Sequence, residues 1–226
     1  MNLAQHYRNL YIDAVNKIEN NAYQVDPLIN DKNDNRFGIT LLLRPSQEVK
    51  NNIQRVLNQF KAIEPHQYYY KNEDIHITVM SIISCYNGFK LENIDITQYI
   101  EVINNSLIEN PEIEITFKGL TASPSCIMLQ GFLTNDSLNI IRNNLRTHFK
   151  NTNLEQSIDK RYAIQTVHST IIRFKEQLSD KSAFLKLIDS YKDYNFGSFK
   201  PNQLELVYND WYQKEALVKK LALFTI

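Results

Sequence analysis

The sequence of 226 residues has few of the residues that mark linker-rich or disulfide-rich chains. It contains five glycines, six prolines and two cysteines. Cys85 and Cys126 form neither a disulfide framework nor a metal-ligand spacing, and so little glycine excludes a low-complexity chain. The sequence therefore predicts an ordered protein of a reducing cytoplasm, built as one large domain or as two tightly joined lobes.

The sequence also shows no excess of charge of one sign and no long apolar run. Lysine and arginine total 25 against 25 acidic residues, so there is no global field to hold a long polyanion or an anionic membrane. No apolar stretch approaches the roughly 20 residues that span a bilayer, and residues 1–8 lack the apolar core of a secretion signal. We expect a soluble, cytoplasmic monomer without membrane partners or a long nucleic-acid groove, which acts on a small anion or on the end of a strand.

Hydrophobic periodicity predicts helices and strands mixed along the chain. An amphipathic helix over Leu3–Asn20 and a polar loop form residues 1–35, an N-terminal addition to a core domain of residues 36–226. Ser46 is the predicted N-cap of the first helix of that domain. The other predicted helices are Ile96–Glu109, one carrying Leu138 to Phe149, and Lys181–Tyr194; the predicted strands are Phe37–Leu43, Ile75–Ile83, Ile113–Lys118, Ile127–Leu133, Ala163–Phe174, Gln203–Tyr208 and Ala216–Ile226.

Two similar triplets, His76-Ile77-Thr78 and His168-Ser169-Thr170, lie on predicted strands about half of the core domain apart. Each of these strands lies between helices. This spacing predicts a diverged internal duplication and one bilobal α+β domain, in which each lobe has a small sheet and packed helices.

Each triplet combines a proton-transfer group with a hydroxyl. Side chains alternate along a strand, so the imidazole and the hydroxyl lie on the same side, about 7 Å apart, while Ile75, Ile77 and Val79 face the core. Two such strands facing each other would place two imidazoles and two hydroxyls around one pocket. A single triplet is typical of a partly buried structural pair, whereas two together favour a catalytic site.

Residues 75–79 and 167–173, which contain these triplets, resemble the paired motifs of the two-histidine (2H) phosphoesterase superfamily. This superfamily includes the LigT-like RNA 2′,3′-cyclic phosphodiesterases, often described as RNA 2′-5′ ligases. Residues 36–45 and 221–226 are similar to the family's opening and closing strands. The resemblance implies pseudo-duplicated antiparallel sheets with flanking helices around a central cleft.

The resemblance also implies a metal-independent phosphodiesterase without a cofactor, which opens a cyclic phosphate or a 2′-5′-type linkage of a nucleotide or an RNA end. His76 and His168 would be the general acid and base, and Thr78 and Thr170 would bind the phosphate. The chemistry agrees, because imidazole titrates near pH ~6.5 and hydroxyls can bond phosphate oxygens. Which histidine is the base is left open.

Other candidate residues are given structural interpretations. Arg173 continues the second motif, but strand alternation places it opposite His168 unless a bulge intervenes. His6, His66 and His148 are interpreted as surface residues. The aromatic residues of 68–70 and 208–212 could stack on a base or line a cleft mouth, although such aromatics are more often core. Glu73 and Asp74 lack the spacing of a metal site.

Two alternatives stay open. A binding module could recognise a nucleotide or an RNA end without turnover, although a pure binder has no need for two proton-transfer groups. A different 2H enzyme could act on ADP-ribose cyclic phosphate, on a cyclic nucleotide or oligonucleotide signal, or as a ligase.

Overall fold

The computed structural model describes residues 2–226, which form five α-helices and nine β-strands. The side chain of Ser46 accepts a hydrogen bond from Val49 N at 3.4 Å, which confirms the predicted N-cap. No helix in this part of the chain has both the length and the apolar character needed to cross a bilayer.

The helices are α1 (Leu3–Glu19), α2 (Gln47–Ile63), α3 (Ile96–Asn104), α4 (Ser137–Lys150) and α5 (Lys181–Ser190). The strands are β1 (Arg36–Leu43), β2 (Tyr68–Tyr69), β3 (Ile77–Asn87), β4 (Ile115–Ser123), β5 (Cys126–Leu133), β6 (Ser169–Arg173), β7 (Asn195–Phe199), β8 (Gln203–Asp210) and β9 (Lys219–Thr225).

The strands form two antiparallel sheets, which confirms the predicted α+β architecture. The four-stranded sheet has the order β3-β1-β8-β9, and the five-stranded sheet has the order β2-β6-β5-β4-β7. Each sheet contains strands from both halves of the chain, so neither lobe is formed by one half of the sequence alone. After β5 the chain leaves the five-stranded sheet, and α4 packs against β3 of the other sheet. The chain then returns to the five-stranded sheet as β6.

The helix predicted at the N-terminus is present as α1 and packs on the five-stranded sheet, chiefly against β4. Its residues Tyr7, Ala14 and Ile18 are buried. The Tyr7 hydroxyl donates to Gly131 O at 3.2 Å, and Thr121 Oγ1 donates to Tyr7 O at 3.0 Å. α1 is therefore part of the hydrophobic core that covers one face of this sheet.

The strand predicted over Ala163–Phe174 is too long. Only Ser169–Arg173 is a strand, and residues 151–168 form a long loop. The apolar residues Ile164 and Val167, which favoured a strand, are buried without entering a sheet. The loop is anchored elsewhere instead, since Ser157 N donates to Ile82 O at 2.8 Å and Arg146 donates to Ile164 O at 2.9 Å.

Candidate active site

A cavity of about 610 Å³ lies between the two sheets, and residues of both triplets line it. His76 and Thr78 border it at the start of β3 in the four-stranded sheet, and His168 and Thr170 border it at the start of β6 in the five-stranded sheet. All four residues predicted as catalytic thus border one space. Its size is that of a pocket for a small ligand.

The first triplet begins one residue before β3. Ile75, Ile77 and Val79 are fully buried, so His76 and Thr78 are left on the cavity side, as strand alternation requires. His76 Nδ1 lies 2.7 Å from the carbonyl oxygen of Asp74. Because a carbonyl only accepts, Nδ1 carries a hydrogen and the Nε2 of the neutral ring is left with its lone pair.

The second triplet begins one residue before β6. His168 Nδ1 lies 2.6 Å from Thr166 Oγ1, and a hydroxyl can donate or accept, so this contact is compatible with either tautomer. The middle residue, Ser169, is buried, and its hydroxyl donates to His76 O at 2.7 Å. A direct hydrogen bond therefore joins the two triplets across the sheets.

The surroundings of both histidines favour the neutral ring. Burial lowers the pKa of His76 to about 4, with the hydrogen bond to Asp74 acting in the opposite direction. Burial also lowers the pKa of His168 to about 4, and the positive charges of Arg142 and Arg173 add to this effect. Both imidazoles are therefore neutral at pH 7 in the free protein.

Arg142 on α4 holds the backbone of both motifs. It is almost completely buried, and it donates to Val79 O at 3.0 Å, to Thr78 O at 3.0 Å and to Thr166 O at 2.8 Å. Burial lowers the pKa of Arg142 to about 10, which leaves the group cationic at neutral pH. One guanidinium thus ties the first triplet to the residue that contacts His168.

Arg173 lines the cavity, so its interpretation as a residue on the opposite face is wrong. Ile172 pairs with Ile127 and Thr170 pairs with the next residue, Met128, so Ile171 is an extra residue in β6. This bulge reverses the alternation and turns Arg173 to the same side as Thr170. Its Nε donates to the Tyr70 hydroxyl at 3.0 Å, and the contacts within residues 2–226 include no carboxylate partner for it.

The three other histidines differ in position. His66 is exposed, as predicted. His6 is only partly exposed and lines the cavity from α1, so its interpretation as a plain surface residue is wrong. His148 is half-buried and lies 2.9 Å from Ser106 Oγ. α1 therefore contributes a third imidazole to the cavity wall.

The aromatic clusters divide between core and cavity. Tyr70 is 1% exposed and borders the cavity beside His76, at a ring-centroid distance of 6.5 Å. Trp211 lines the cavity, whereas Tyr212 is buried. Within residues 2–226, no group of three or more His, Cys, Asp or Glu side chains is placed to hold a metal ion.

Comparison with solved structures finds the same architecture at low sequence identity. Escherichia coli LigT in complex with 3′-AMP has a TM-score of 0.57 at 13% identity, covering 84% of this chain and 98% of LigT. A protein described as a phosphoesterase has a TM-score of 0.57 at 12% identity, covering 84% and 98%. A conserved Agrobacterium tumefaciens protein of unknown function has 0.55 at 12%, covering 92% and 97%. The chain has the LigT-like phosphoesterase fold.

No protein-family model matches the sequence, and no curated protein matches it. The likeness at 12–13% identity establishes the fold. The resemblance to the 2H phosphoesterases, predicted from the triplets, is confirmed at that level, including two antiparallel sheets around a cleft.

Arg142 is a site residue that sequence reasoning missed altogether. The helical stripe of Leu138, Ile141, Leu145 and Phe149 is buried, and Arg142 lies within it, four positions after Leu138. An arginine in an apolar stripe was the available signal, because a buried guanidinium requires acceptors. Its acceptors, however, lie far away in sequence.

Proposed function

We propose that this protein is a phosphodiesterase that opens a cyclic phosphate, or a 2′-5′-type phosphodiester, in a nucleotide or at an RNA end. The supporting observation is the meeting of His76, Thr78, His168 and Thr170 on one cavity, from facing strands of two sheets. Two imidazoles supply both proton transfers of a hydrolysis, one from water and one to the leaving oxygen. Both proton-transfer groups of the proposed reaction are thus side chains of this protein.

His76 is the better candidate for the base. Its Nδ1 hydrogen is held by Asp74 O, so the Nε2 lone pair of the neutral ring is free to take a proton from the attacking water. His168 would then protonate the leaving ester oxygen. That role requires a charged ring, and the negative phosphate of a bound substrate raises the pKa of a neighbouring imidazole.

Phosphate binding falls to Thr78, Thr170 and Arg173. The two hydroxyls can donate to non-bridging oxygens, which keep their negative charge through an in-line displacement. Arg173 adds a full positive charge on the same side as Thr170, and its planar group suits the oxygens of a phosphate. Its single hydrogen bond to Tyr70 uses Nε, so both terminal nitrogens remain for the substrate.

Nucleotides fit this assignment. E. coli LigT has been crystallised with 3′-AMP, ATP, NADP⁺ and phosphate. A cavity of about 610 Å³ with aromatic residues in its wall can take a base and a ribose beside the phosphate. We therefore place the substrate among small nucleotides and RNA ends.

The test is product analysis on a panel of 2′,3′-cyclic nucleotides, 2′-5′-linked dinucleotides, cyclic oligonucleotides, ADP-ribose cyclic phosphate and RNA ends. His76→Ala and His168→Ala should each lower kcat at least about a hundredfold on the best substrate. His66→Ala is the matched control, since His66 is exposed and lies outside the cavity. Near-normal turnover in either cavity variant contradicts the mechanism, and binding without turnover of any panel member indicates a binding module.

A further inference from the structure

The two cavity histidines are held at Nδ1 by partners of different chemistry. His76 Nδ1 faces the carbonyl oxygen of Asp74 at 2.7 Å, and a carbonyl only accepts. His168 Nδ1 faces the hydroxyl of Thr166 at 2.6 Å, and a hydroxyl can either donate or accept. The tautomer of His76 is therefore fixed by its partner, whereas that of His168 depends on where the hydroxyl hydrogen points.

The surroundings of Thr166 indicate the direction of this hydrogen. Within residues 2–226, the contact with His168 Nδ1 is the one hydrogen bond of the Thr166 hydroxyl. The hydroxyl of Tyr7 also lies near Thr166, but it is engaged by Gly131, donating to the carbonyl oxygen at 3.2 Å and accepting from the backbone N at 3.3 Å. If Thr166 accepted from Nδ1–H, its own hydrogen would lack a protein acceptor, so donation to Nδ1 is favoured.

The length of the contact and the nearby charge agree with a hydroxyl donor. O–H···O bonds are about 2.5–3.0 Å long and N–H···O bonds about 2.7–3.2 Å, so 2.6 Å suits O–H as the donor. Arg142 donates to the carbonyl oxygen of the same threonine at 2.8 Å, and positive charge on that side of the ring favours a lone pair over a hydrogen on Nδ1. After burial, Arg142 lowers the pKa of His168 more than Arg173 and His6 do.

From this asymmetry we infer that Thr166 is a positioning residue that holds His168 in the Nε2–H tautomer, the opposite of the tautomer of His76. The inference rests on the proposed function for its catalytic meaning, whereas the tautomer is a property of the free protein. The pair of rings then offers a substrate one nitrogen with a lone pair and one with a hydrogen. The lone pair suits the attacking water, and the hydrogen suits the leaving ester oxygen.

The hydroxyl preserves this arrangement when His168 becomes charged. An imidazolium carries a hydrogen on both ring nitrogens, so the Thr166 hydroxyl rotates to accept from Nδ1–H while Nε2 keeps its hydrogen. A carbonyl in the same place would hold a hydrogen on Nδ1 in both charge states and leave the neutral ring with a bare Nε2. Thr166 therefore allows His168 to direct a hydrogen at the leaving oxygen before and after the ring gains its charge.

Nitrogen NMR of the free protein measures the two tautomers directly. At pH 8 both rings are neutral, since burial lowers the pKa of each to about 4, and the ¹⁵N shifts distinguish the ring nitrogen that carries hydrogen from the bare one. We expect hydrogen on Nε2 of His168 and on Nδ1 of His76, with the signals assigned from His76→Asn and His168→Asn. A wild-type His168 that carries its hydrogen mainly on Nδ1 overturns the inference, whether or not any Thr166 variant folds.

Two variants of Thr166 assign the effect to its hydroxyl. Thr166→Val removes the hydroxyl at similar volume and should weaken the Nε2–H preference of His168, whereas Thr166→Ser retains it and is the matched control. An unchanged preference in folded Thr166→Val overturns the role of Thr166.

The leaving group tests the catalytic meaning. A 2′,3′-cyclic nucleotide releases a ribose oxygen that needs a proton, whereas thymidine 3′-(p-nitrophenyl phosphate) releases a stable phenolate that needs none. We expect Thr166→Val to lower kcat at least about tenfold on the cyclic nucleotide, with KM within about twofold, and less than about threefold on the nitrophenyl ester. Thr166→Ser should stay within about threefold of wild type on both. Equal losses on the two substrates overturn the role in proton donation, because general damage to the site lowers both.

The NMR measurement separates a failure of this inference from a failure of the proposed function, because it requires no turnover. If no substrate is hydrolysed while His168 carries Nε2–H and loses that preference in Thr166→Val, the positioning role stands and the proposed activity has failed. If cyclic nucleotides are hydrolysed while the free His168 carries Nδ1–H, the proposed function stands and this inference is overturned.

Discussion

Acidification measures how strongly the cavity disfavours a charged imidazole. Burial lowers the pKa of His76 and of His168 to about 4, against about 6.5 in an unfolded chain. Between these values the unfolded chain binds protons that the folded protein does not. The stability from each neutral ring is therefore fully present above pH ~6.5 and is lost as the pH falls towards 4.

The size of the loss follows from the two pKa values. At pH 5 an unfolded histidine is almost fully protonated and a folded one is about one-tenth protonated, which corresponds to about 2 kcal/mol per histidine. Both rings are only partly buried and border the cavity, so water screens part of this cost. We expect about 1 kcal/mol for each ring and about 2 kcal/mol for the pair.

Urea denaturation at pH 8 and pH 5 provides the assay. The wild type should lose about 2 kcal/mol more of its unfolding free energy than a His76→Asn/His168→Asn double variant, since contributions from carboxylates are shared by both proteins. His66→Asn is the control with an exposed ring. Equal losses in wild type and double variant would refute the reasoning, as would a ring pKa near 6.5 measured by NMR in the free protein.

Three further predictions concern the frame of the site and its substrate. Arg142→Met removes the hydrogen-bond donors to three backbone carbonyls in or beside the motifs. The unfolding free energy should therefore fall by about 2 kcal/mol or more, and kcat should fall at least about tenfold. An unchanged kcat in a folded variant would contradict a positioning role for Arg142. Gly131→Ala places a Cβ 2.0 Å from Val167 O, so the backbone before His168 must shift. We expect the unfolding free energy from urea denaturation to fall by about 1–3 kcal/mol and kcat to decrease. Wild-type values of both quantities would contradict this prediction. The neutral net charge predicts a plot of log kcat/KM against log salt with a slope shallower than about −2, whereas a steep slope with preference for long RNA would reveal a polymer groove.

The catalytic candidates could be predicted because their information is local. In the first triplet, alternation along a strand separates Ile77 from His76 and Thr78, and the structure keeps that separation. The hydrophobic pattern likewise predicts most of the strands, although it extends β6 over a loop with buried apolar residues and does not predict β7.

Arg173 and Arg142 show where local information ends. A single extra residue, Ile171, reverses the side on which Arg173 lies, and nothing in the apolar run of β6 distinguishes a bulge from a continuous strand. Arg142 depends on carbonyls of two other segments of the chain. The positions of both side chains depend on pairing or contacts with segments distant in sequence, which sequence periodicity does not report.

The cationic surroundings of the cavity connect the geometry of the site to its choice of substrate. Arg142 fixes the backbone of both motifs and, together with Arg173, adds to the lowering of the pKa of His168 by burial. The free protein is therefore held with neutral imidazoles and with positive charge nearby. In the proposed mechanism, a neutral ligand leaves His168 unable to donate a proton, whereas a phosphate offsets the arginine charges and restores the charged ring. The arginines that surround the site would thus make the proposed acid depend on an anionic substrate.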